Sequence, residues 1–272
     1  MKTIIVATDF SSSALNAAIY AVNMAQLLEA EILLFNVFEV IPNYDEIVID
    51  KNVDDLKKVS VKDMESFKHE LIKLTNTNIN INTEVRLGIF IDEVNDICES
   101  IKPYMLIMGS QGKTAAERII FGTHAGNALQ KCSWPLITVP LTASFSAIKN
   151  IGIAYDFEKE IDKNLVAEIQ LLANDFKADI HILNAAKEDE FNRDFVILSS
   201  KLEKMLSPNT IKFHFVAGEH INESIINYAE KNSIDLLVVM PKHRSLWEKF
   251  IGRSHTKQMV LHSHVPVLSL SK

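Results

Sequence analysis

The chain repeats itself. Thr3-Ile4-Ile5-Val6-Ala7-Thr8-Asp9-Phe10 returns as Asn150-Ile151-Gly152-Ile153-Ala154-Tyr155-Asp156-Phe157. Ile32 to Val37 returns as Ile180 to Ala185, with Asn184 in the place of Asn36. Tyr104 to Met108 is echoed by Ile234 to Met240, and Trp134-Pro135-Leu136-Ile137 by Val265-Pro266-Val267-Leu268. The offset is 147 between Asp9 and Asp156 and shrinks to 131 between Pro135 and Pro266. The second unit is shorter mainly because it lacks the polar Pro42–Asp55 stretch. A repeat this long is two copies of one domain, because solenoid units run about 20–50 residues. The expected domains are 1–142 and 148–272, joined by the short Ser/Ala/Thr stretch from Leu141 to Ala147.

Each copy alternates strand-like and helix-like segments. In the first, Lys2–Ala7 is a β-branched run of the kind buried on both faces. Thr8-Asp9-Phe10-Ser11 breaks it, and Ser11 or Ser12 can cap the helix that follows. Leu15, Ala18, Ile19, Val22, Ala25 and Ala30 keep roughly helical spacing there. Glu31–Val37 reads as a second strand and Pro42–Asp55 as an exposed acidic connection. Leu56–Leu74 reads as a long amphipathic helix with Leu56, Val59, Met64, Phe67, Leu71 and Leu74 on its buried stripe. Ile79–Leu87 alternates as a half-buried strand does. Phe90–Ile101 is a helix stopped by Pro103. Tyr104–Met108 and Pro135–Val139 complete a β-α-β-α-β-α-β-α-β order. That order predicts a doubly wound, Rossmann-like α/β domain, a parallel sheet with helices on both faces, present twice.

Glycine marks the candidate site. The chain has eight glycines in 272 residues, and four of them lie between Gly109 and Gly126. Glycine gives up the most backbone freedom on folding, so crowding it into one loop implies close approach or positive φ. The run Gly109-x2-Gly112-x9-Gly122-Thr123 leaves an apolar strand and enters the helix-like stretch His124–Lys131. Strand, glycine loop and helix N-terminus together suit a phosphate. A loop that only turns tightly is the plain alternative. The spacing is not that of a Walker A loop, although Lys113 follows the second glycine. In open parallel sheets, ligands bind beyond the strand C-termini where strand order reverses. If strands one and four are neighbours, Ala7-Thr8-Asp9 and Gly109–Gly112 face each other across such a crevice. An ionised Asp9 only accepts hydrogen bonds, so it suits an adenine amino group, a ribose hydroxyl or a metal-bound water. Val37 would form an apolar wall beside a base.

The tandem units, the Val-Ala-Thr-Asp-Phe-Ser start and Gly109-x2-Gly112-x9-Gly122-Thr123 resemble the universal stress protein (UspA) family over nearly the whole chain. The resemblance implies an adenine nucleotide alpha hydrolase-like domain with strand order 3-2-1-4-5. It implies binding of ATP, alone or with magnesium, by a stress-response regulatory protein. By position, the family's nucleotide contacts fall on Thr8, Asp9, Val37, Met108, Gly109, Gly112, Gly122, Thr123, His124 and Ala125. It also implies an intramolecular pseudo-dimer through the last strands of the two units, and the family's habit leaves room for a homodimer of chains.

The second copy departs from the pattern. Aligned on Pro266, the three glycines become Met240, His243 and Arg253, and Thr123 becomes Ser254. Thr8 becomes Tyr155 and Val37 becomes Ala185, while Asp156 is retained. A degenerate partner domain is the expectation, with a different small ligand as the alternative.

The remaining features bound the function. Apolar content is 47%, charged content 23% and net charge −7, with no basic-aromatic run, so nucleic acid is not an expected partner. No stretch approaches 18 apolar residues, so no membrane partner is expected either. The N-terminal apolar run is too short for a secretory signal. Cys98 and Cys132 lack metal spacing and read as reduced thiols, which places the chain in the cytoplasm. Seven of nine histidines lie in the second half. They read as scattered surface residues, without the partners a metal site needs. His262 and His264 share a face, and Lys242-His243-Arg244 with Lys249 and Arg253 make a small basic cluster. Trp247 and Phe250 would cover the would-be second site or make a partner contact. No catalytic constellation is evident, so the alternatives to a nucleotide-binding regulator are a slow ATPase or phosphotransferase at the same site, or a nucleotide-free scaffold for a protein partner.

Overall fold

Ile4, Ile5 and Val6 have no polar face to turn towards water, so a strand built from them must be covered on both sides. The computed structural model describes residues 1–39, 49–110, 132, 134–155, 157, 161–184, 193–218, 221–239 and 263–270, with the side chains of 49–52, 193–194 and 221 excepted. In it, these three residues are fully buried in β1 (Thr3–Ala7). The first unit continues with α1 (Ser12–Leu28), β2 (Glu31–Phe38), α2 (Ile49–Thr75), β3 (Ile81–Leu87), α3 (Phe90–Ile101), β4 (Met105–Gly109) and β5 (Leu136–Val139). Its sheet order is β3-β2-β1-β4-β5, and every neighbouring pair is parallel. The second unit has β6 (Asn150–Ala154), α4 (Lys163–Phe176), β7 (Asp179–Asn184), α5 (Arg193–Leu206), β8 (Ile211–Phe215), α6 (Ile221–Lys231), β9 (Leu236–Val239) and β10 (Val267–Ser269). Its order, β8-β7-β6-β9-β10, repeats the first with parallel pairs throughout. Strand order reverses beside β1 in one unit and beside β6 in the other. These are the two points where a doubly wound sheet opens a crevice.

The chain divides between Phe145 and Ser146. The residues just before that point are fastened to the first unit. The Asn16 side-chain amide donates to the carbonyls of Pro140 (3.0 Å) and Ala143 (2.9 Å), and Phe145 packs edge-on against Tyr20. Among the described residues, no helix is long and apolar enough to cross a membrane.

Two helices set the first crevice. α1 lies against β1 and β4 through an alanine face, Ala14, Ala17, Ala18, Ala21 and Ala25, all buried. Small side chains let the helix axis come close to the sheet. The helix starts at Ser11, whose Oγ accepts the Ala14 N–H at 3.1 Å while its carbonyl accepts the Leu15 N–H. Replacing Ser11 with Ala should cost about 1 kcal/mol through the lost cap. A urea unfolding curve checks this, and an unchanged midpoint would show that another acceptor replaces the hydroxyl. α3 covers the opposite face, where Val94, Ile97 and Cys98 pack on Ile5, Leu33, Phe35 and Leu106.

α2 corrects the sequence expectation. It begins at Ile49, so the last part of the Pro42–Asp55 stretch is helical, while residues 40–48 lie outside the described ones. Met64, Phe67 and Leu71 are buried as expected, but Leu56, Val59 and Leu74 are 41%, 56% and 57% exposed. Length explains the difference. A 27-residue helix runs about 40 Å. The 8-residue β2 runs about 26 Å. Only the middle of α2 therefore meets the sheet.

Candidate functional site

Five of the expected site residues are described, and the topology brings them to one edge. Ala7 pairs with Phe35 on one side and with Met108 on the other. Thr8 and Asp9 therefore leave β1 between the ends of β2, which carries Val37, and β4, which ends at Gly109. Gly112, Gly122, Thr123, His124 and Ala125 lie outside the described residues. So do Asp156, Ala185, Met240, His243, Arg253, Ser254, the basic cluster, Trp247, Phe250 and His262 of the second unit.

The turn after β1 is tied together by its own side chains. The Thr8 N–H donates to the Phe35 carbonyl at 2.9 Å and continues the sheet. Thr8 Oγ1 accepts the Phe10 N–H at 2.9 Å, and Asp9 Oδ1 accepts the Ser11 N–H at 3.0 Å. Short polar side chains that accept from an amide two residues on are the usual makers of such turns. Phe10 sits at φ 62°, a left-handed conformation that a non-glycine residue adopts at a cost. Its ring packs on Phe67 of α2, with centroids 5.8 Å apart.

This knot fixes Asp9 by one oxygen. Asp9 Oδ2 is buried and has no hydrogen-bond partner among the described residues. A buried acceptor without a donor costs about 1–3 kcal/mol, and more when charged, so it marks a place where a donor from outside the fold would be favourable. Asn36 is a residue the sequence reading did not assign. Its amide donates to the Thr8 carbonyl at 2.8 Å, and its Oδ1 likewise has no partner among the described residues. The signal for it was the repeat itself, because Asn36 and Asn184 hold the same place.

Gly109 has a reason of its own to be glycine. A Cβ built there would lie 2.5 Å from Ser13 Oγ and 2.8 and 2.9 Å from the Ser13 carbonyl oxygen and carbon. The first turn of α1 occupies the side-chain position of Gly109. Met108 is 2% exposed and packs in the cluster under α3, with Ala7, Phe35 and Leu106. Any contact it makes with a ligand is therefore through its backbone. Val37 lies half-buried on the same face. Arg86, its partner across β3, is held by Glu84, Glu93 and Asp96, which neutralise it as a phosphate ligand. Cys98 and Cys132 are buried in this core, and burial pushes the Cys98 thiol up to about 12, so it is not a nucleophile at neutral pH.

The equivalent edge of the second unit is aromatic. The Tyr155 N–H donates to the Leu183 carbonyl as Thr8 does to Phe35, and Phe157, at φ 55°, repeats the conformation of Phe10. The Tyr155 ring packs 4.4 Å from Phe157, which packs 4.6 Å from Phe195 of α5; Phe195 in turn meets Phe213 and Phe215 of β8. Tyr155 and Phe157 are both buried. Where the first unit presents a hydroxyl, the second presents interlocked rings.

Comparison with known proteins follows the same division of the chain. The sequence model of the Universal stress protein family matches residues 1–140 and again 147–270. Universal stress protein MJ0531 of Methanocaldococcus jannaschii is 28% identical over 149 residues, covering 51% of this chain and 81% of that protein. Universal stress protein Slr1230 of Synechocystis is 26% identical over 170 residues, covering 61% of this chain and 57% of that protein. A universal stress protein from Archaeoglobus fulgidus shares the fold, with a TM-score of 0.76 at 17% identity over 99% of this chain and 98% of that one.

Proposed function

The chain belongs to the universal stress protein family and carries its domain twice; from that premise we propose that it is a regulatory binding protein that holds one adenine nucleotide, in the first domain. The observation that carries this is Asp9 Oδ2, a buried acceptor without a partner among the described residues, at the point where strand order reverses. An adenine amino group supplies the missing donor. Thr8 and Val37 flank it, and the family's glycine motif, Gly109-x2-Gly112-x9-Gly122-Thr123, supplies backbone amides to the phosphates of ATP, with His124 and Ala125 beginning the next segment. Magnesium, when bound, would offset phosphate charge.

The second domain supports the count of one. Tyr155 and Phe157 fill the end of β6 with rings packed on Phe195, and the aligned glycine positions are Met240, His243 and Arg253. Calorimetry of the full chain with ATP is expected to give one nucleotide per chain. Two, or none, overturns the reading. Mass spectrometry of small molecules released on denaturing the purified protein provides an independent check on which nucleotide is held.

A further inference from the structure

His181 and His214 do not behave as surface histidines. His181 is the third residue of β7 and is 8% exposed. Its Nε2 lies 3.1 Å from Asn150 Oδ1 on β6, and its Nδ1 lies 3.0 Å from His214 Nε2 on β8. His214 Nδ1 lies 2.8 Å from the hydroxyl of Tyr228 on α6. The two imidazoles are stacked, with centroids 5.0 Å apart and planes 11° apart.

The direction of every bond follows from one end. The Asn150 side-chain amide donates to the Ser233 carbonyl at 3.0 Å, which fixes its Oδ1 as the acceptor facing His181. His181 must then carry its proton on Nε2, which leaves Nδ1 to accept. His214 must donate from Nε2, which leaves its own Nδ1 to accept from the Tyr228 hydroxyl. The chain therefore runs one way, Tyr228 to His214 to His181 to Asn150, with both rings neutral. It stitches three strands, a helix and the turn after that helix.

We propose that this chain is an acid-sensitive latch that holds α6 against the sheet at neutral pH and releases it when His181 takes up a proton. The two rings respond differently. A proton on His214 Nδ1 reverses one bond only, because the Tyr228 oxygen can accept as well as donate. Once His214 is charged it donates from both nitrogens, so a further proton on His181 Nδ1 faces the His214 N–H at 3.0 Å, and two donors cannot share that contact. Of the charges nearby, Lys212 favours the neutral pair, while Asp179 and Asp235 pull His181 the other way without outweighing its burial. Lys212 of β8 is a cation on the same strand as His214, bonded to Asp179 of β7 at 2.9 Å. Asp235, in the turn after α6, is engaged by the backbone N–H groups of Lys149 and Asn150. Of the titratable groups on α6 (Glu223, Tyr228, Glu230 and Lys231), Tyr228 is the one bonded to the pair, and burial raises it, so it keeps its proton. Burial holds both imidazoles below the ordinary histidine value, with the charges of His214 and Lys212 adding for His181 and that of Lys212 for His214.

The sign of the linkage follows. Histidines depressed in the folded state bind fewer protons there than in the unfolded chain. Their contribution to stability is complete above the unfolded value of about 6.5 and is lost as pH falls below it.

Imidazole nitrogen-proton correlation spectra of the full chain, titrated from pH 8 to pH 5, test the latch. Both rings should carry Nε2–H at pH 8, and both should titrate below about 6.5, His214 before His181. An Nδ1–H form of either neutral ring, or titration above that value, overturns the proposal. The protection factors of α6 amides should fall on acidification relative to those of α4; equal protection overturns the release. A second arm uses the double variant His181→Gln, His214→Gln, in which amide groups stand near the Nε2 positions and nothing titrates. Its urea midpoint should fall by less than half as much as that of the parent between pH 7.5 and 5.5. An equal fall removes the latch as the cause. Should the double variant not fold, the titration of the unaltered protein decides alone.

Discussion

Replacing Gly109 with alanine is expected to destabilise the first domain by about 1–3 kcal/mol, the usual range for an atom forced into a filled space. The added carbon would sit within 3 Å of the Ser13 backbone, at the first turn of α1. A flexible side chain could swing aside, but a helix backbone has to move as a body. The alanines of α1 already bring it as near the sheet as their size allows. Valine places two more methyl groups in the same direction, so Gly109→Val should reach or exceed the top of that range. Against a typical domain stability of about 5–15 kcal/mol, that leaves the domain folded in water but with a much lower urea midpoint. Circular dichroism with urea titration reads both effects. An alanine variant as stable as its parent would show that α1 and β4 part easily and that the glycine serves something else. The same contact disqualifies Gly109 as a probe of binding, because lost affinity there would only report a shifted helix.

Asp9→Asn is the cleaner probe, and it should weaken adenine nucleotide binding roughly 10–100-fold. That is the effect of losing a hydrogen bond to a charged group worth about 1.5–3 kcal/mol. Asn keeps the oxygen that accepts the Ser11 N–H at 3.0 Å. It cannot flip without pointing its own amide at that N–H. The replaced atom is therefore Oδ2, which changes from an acceptor to a donor and meets the donor it should receive. Because the turn keeps its bond, stability should stay within about 1 kcal/mol of the parent, the size of an ordinary hydrogen bond. Calorimetry beside a urea curve separates the two quantities. Unchanged affinity in a folded variant would remove Asp9 from the site.

The contrast between these two residues shows how much of the site was legible in the sequence. Both were picked out by pattern, Asp9 as the acceptor after strand one and Gly109 as the first glycine of the loop. Pattern could not say that a helix backbone fills the place of the Gly109 side chain, because Ser13 lies 96 positions earlier in the sequence. Asn36 was visible only as one member of a repeated pair. Its bond to the Thr8 carbonyl depends on β1 and β2 lying side by side. The stripe on α2 misled for a related reason. Helical spacing names a face, but whether that face is covered depends on where the sheet ends.

The histidines carry the same lesson. His181 and His214 are 33 positions apart and were read as solvated. They meet because β7 and β8 are adjacent and in register, and Tyr228 joins them because α6 packs across that face.

The sequence by itself determined the architecture. Buried apolar runs at each sheet centre, helix limits written in Ser11 and Pro103, and a repeat across the whole chain leave one economical solution, two doubly wound parallel sheets. These are local signals: period, cap and breaker act over a few residues and need no knowledge of neighbours. The tertiary structure alone decided which polar groups are satisfied. Among the described residues it pinned one oxygen of Asp9 and left the other without a partner, packed Tyr155 on Phe157 at the end of β6, and threaded a hydrogen-bonded chain through two histidines. Hydrogen bonds and close contacts act over about 3 Å, and only the fold brings residues distant in sequence to that range.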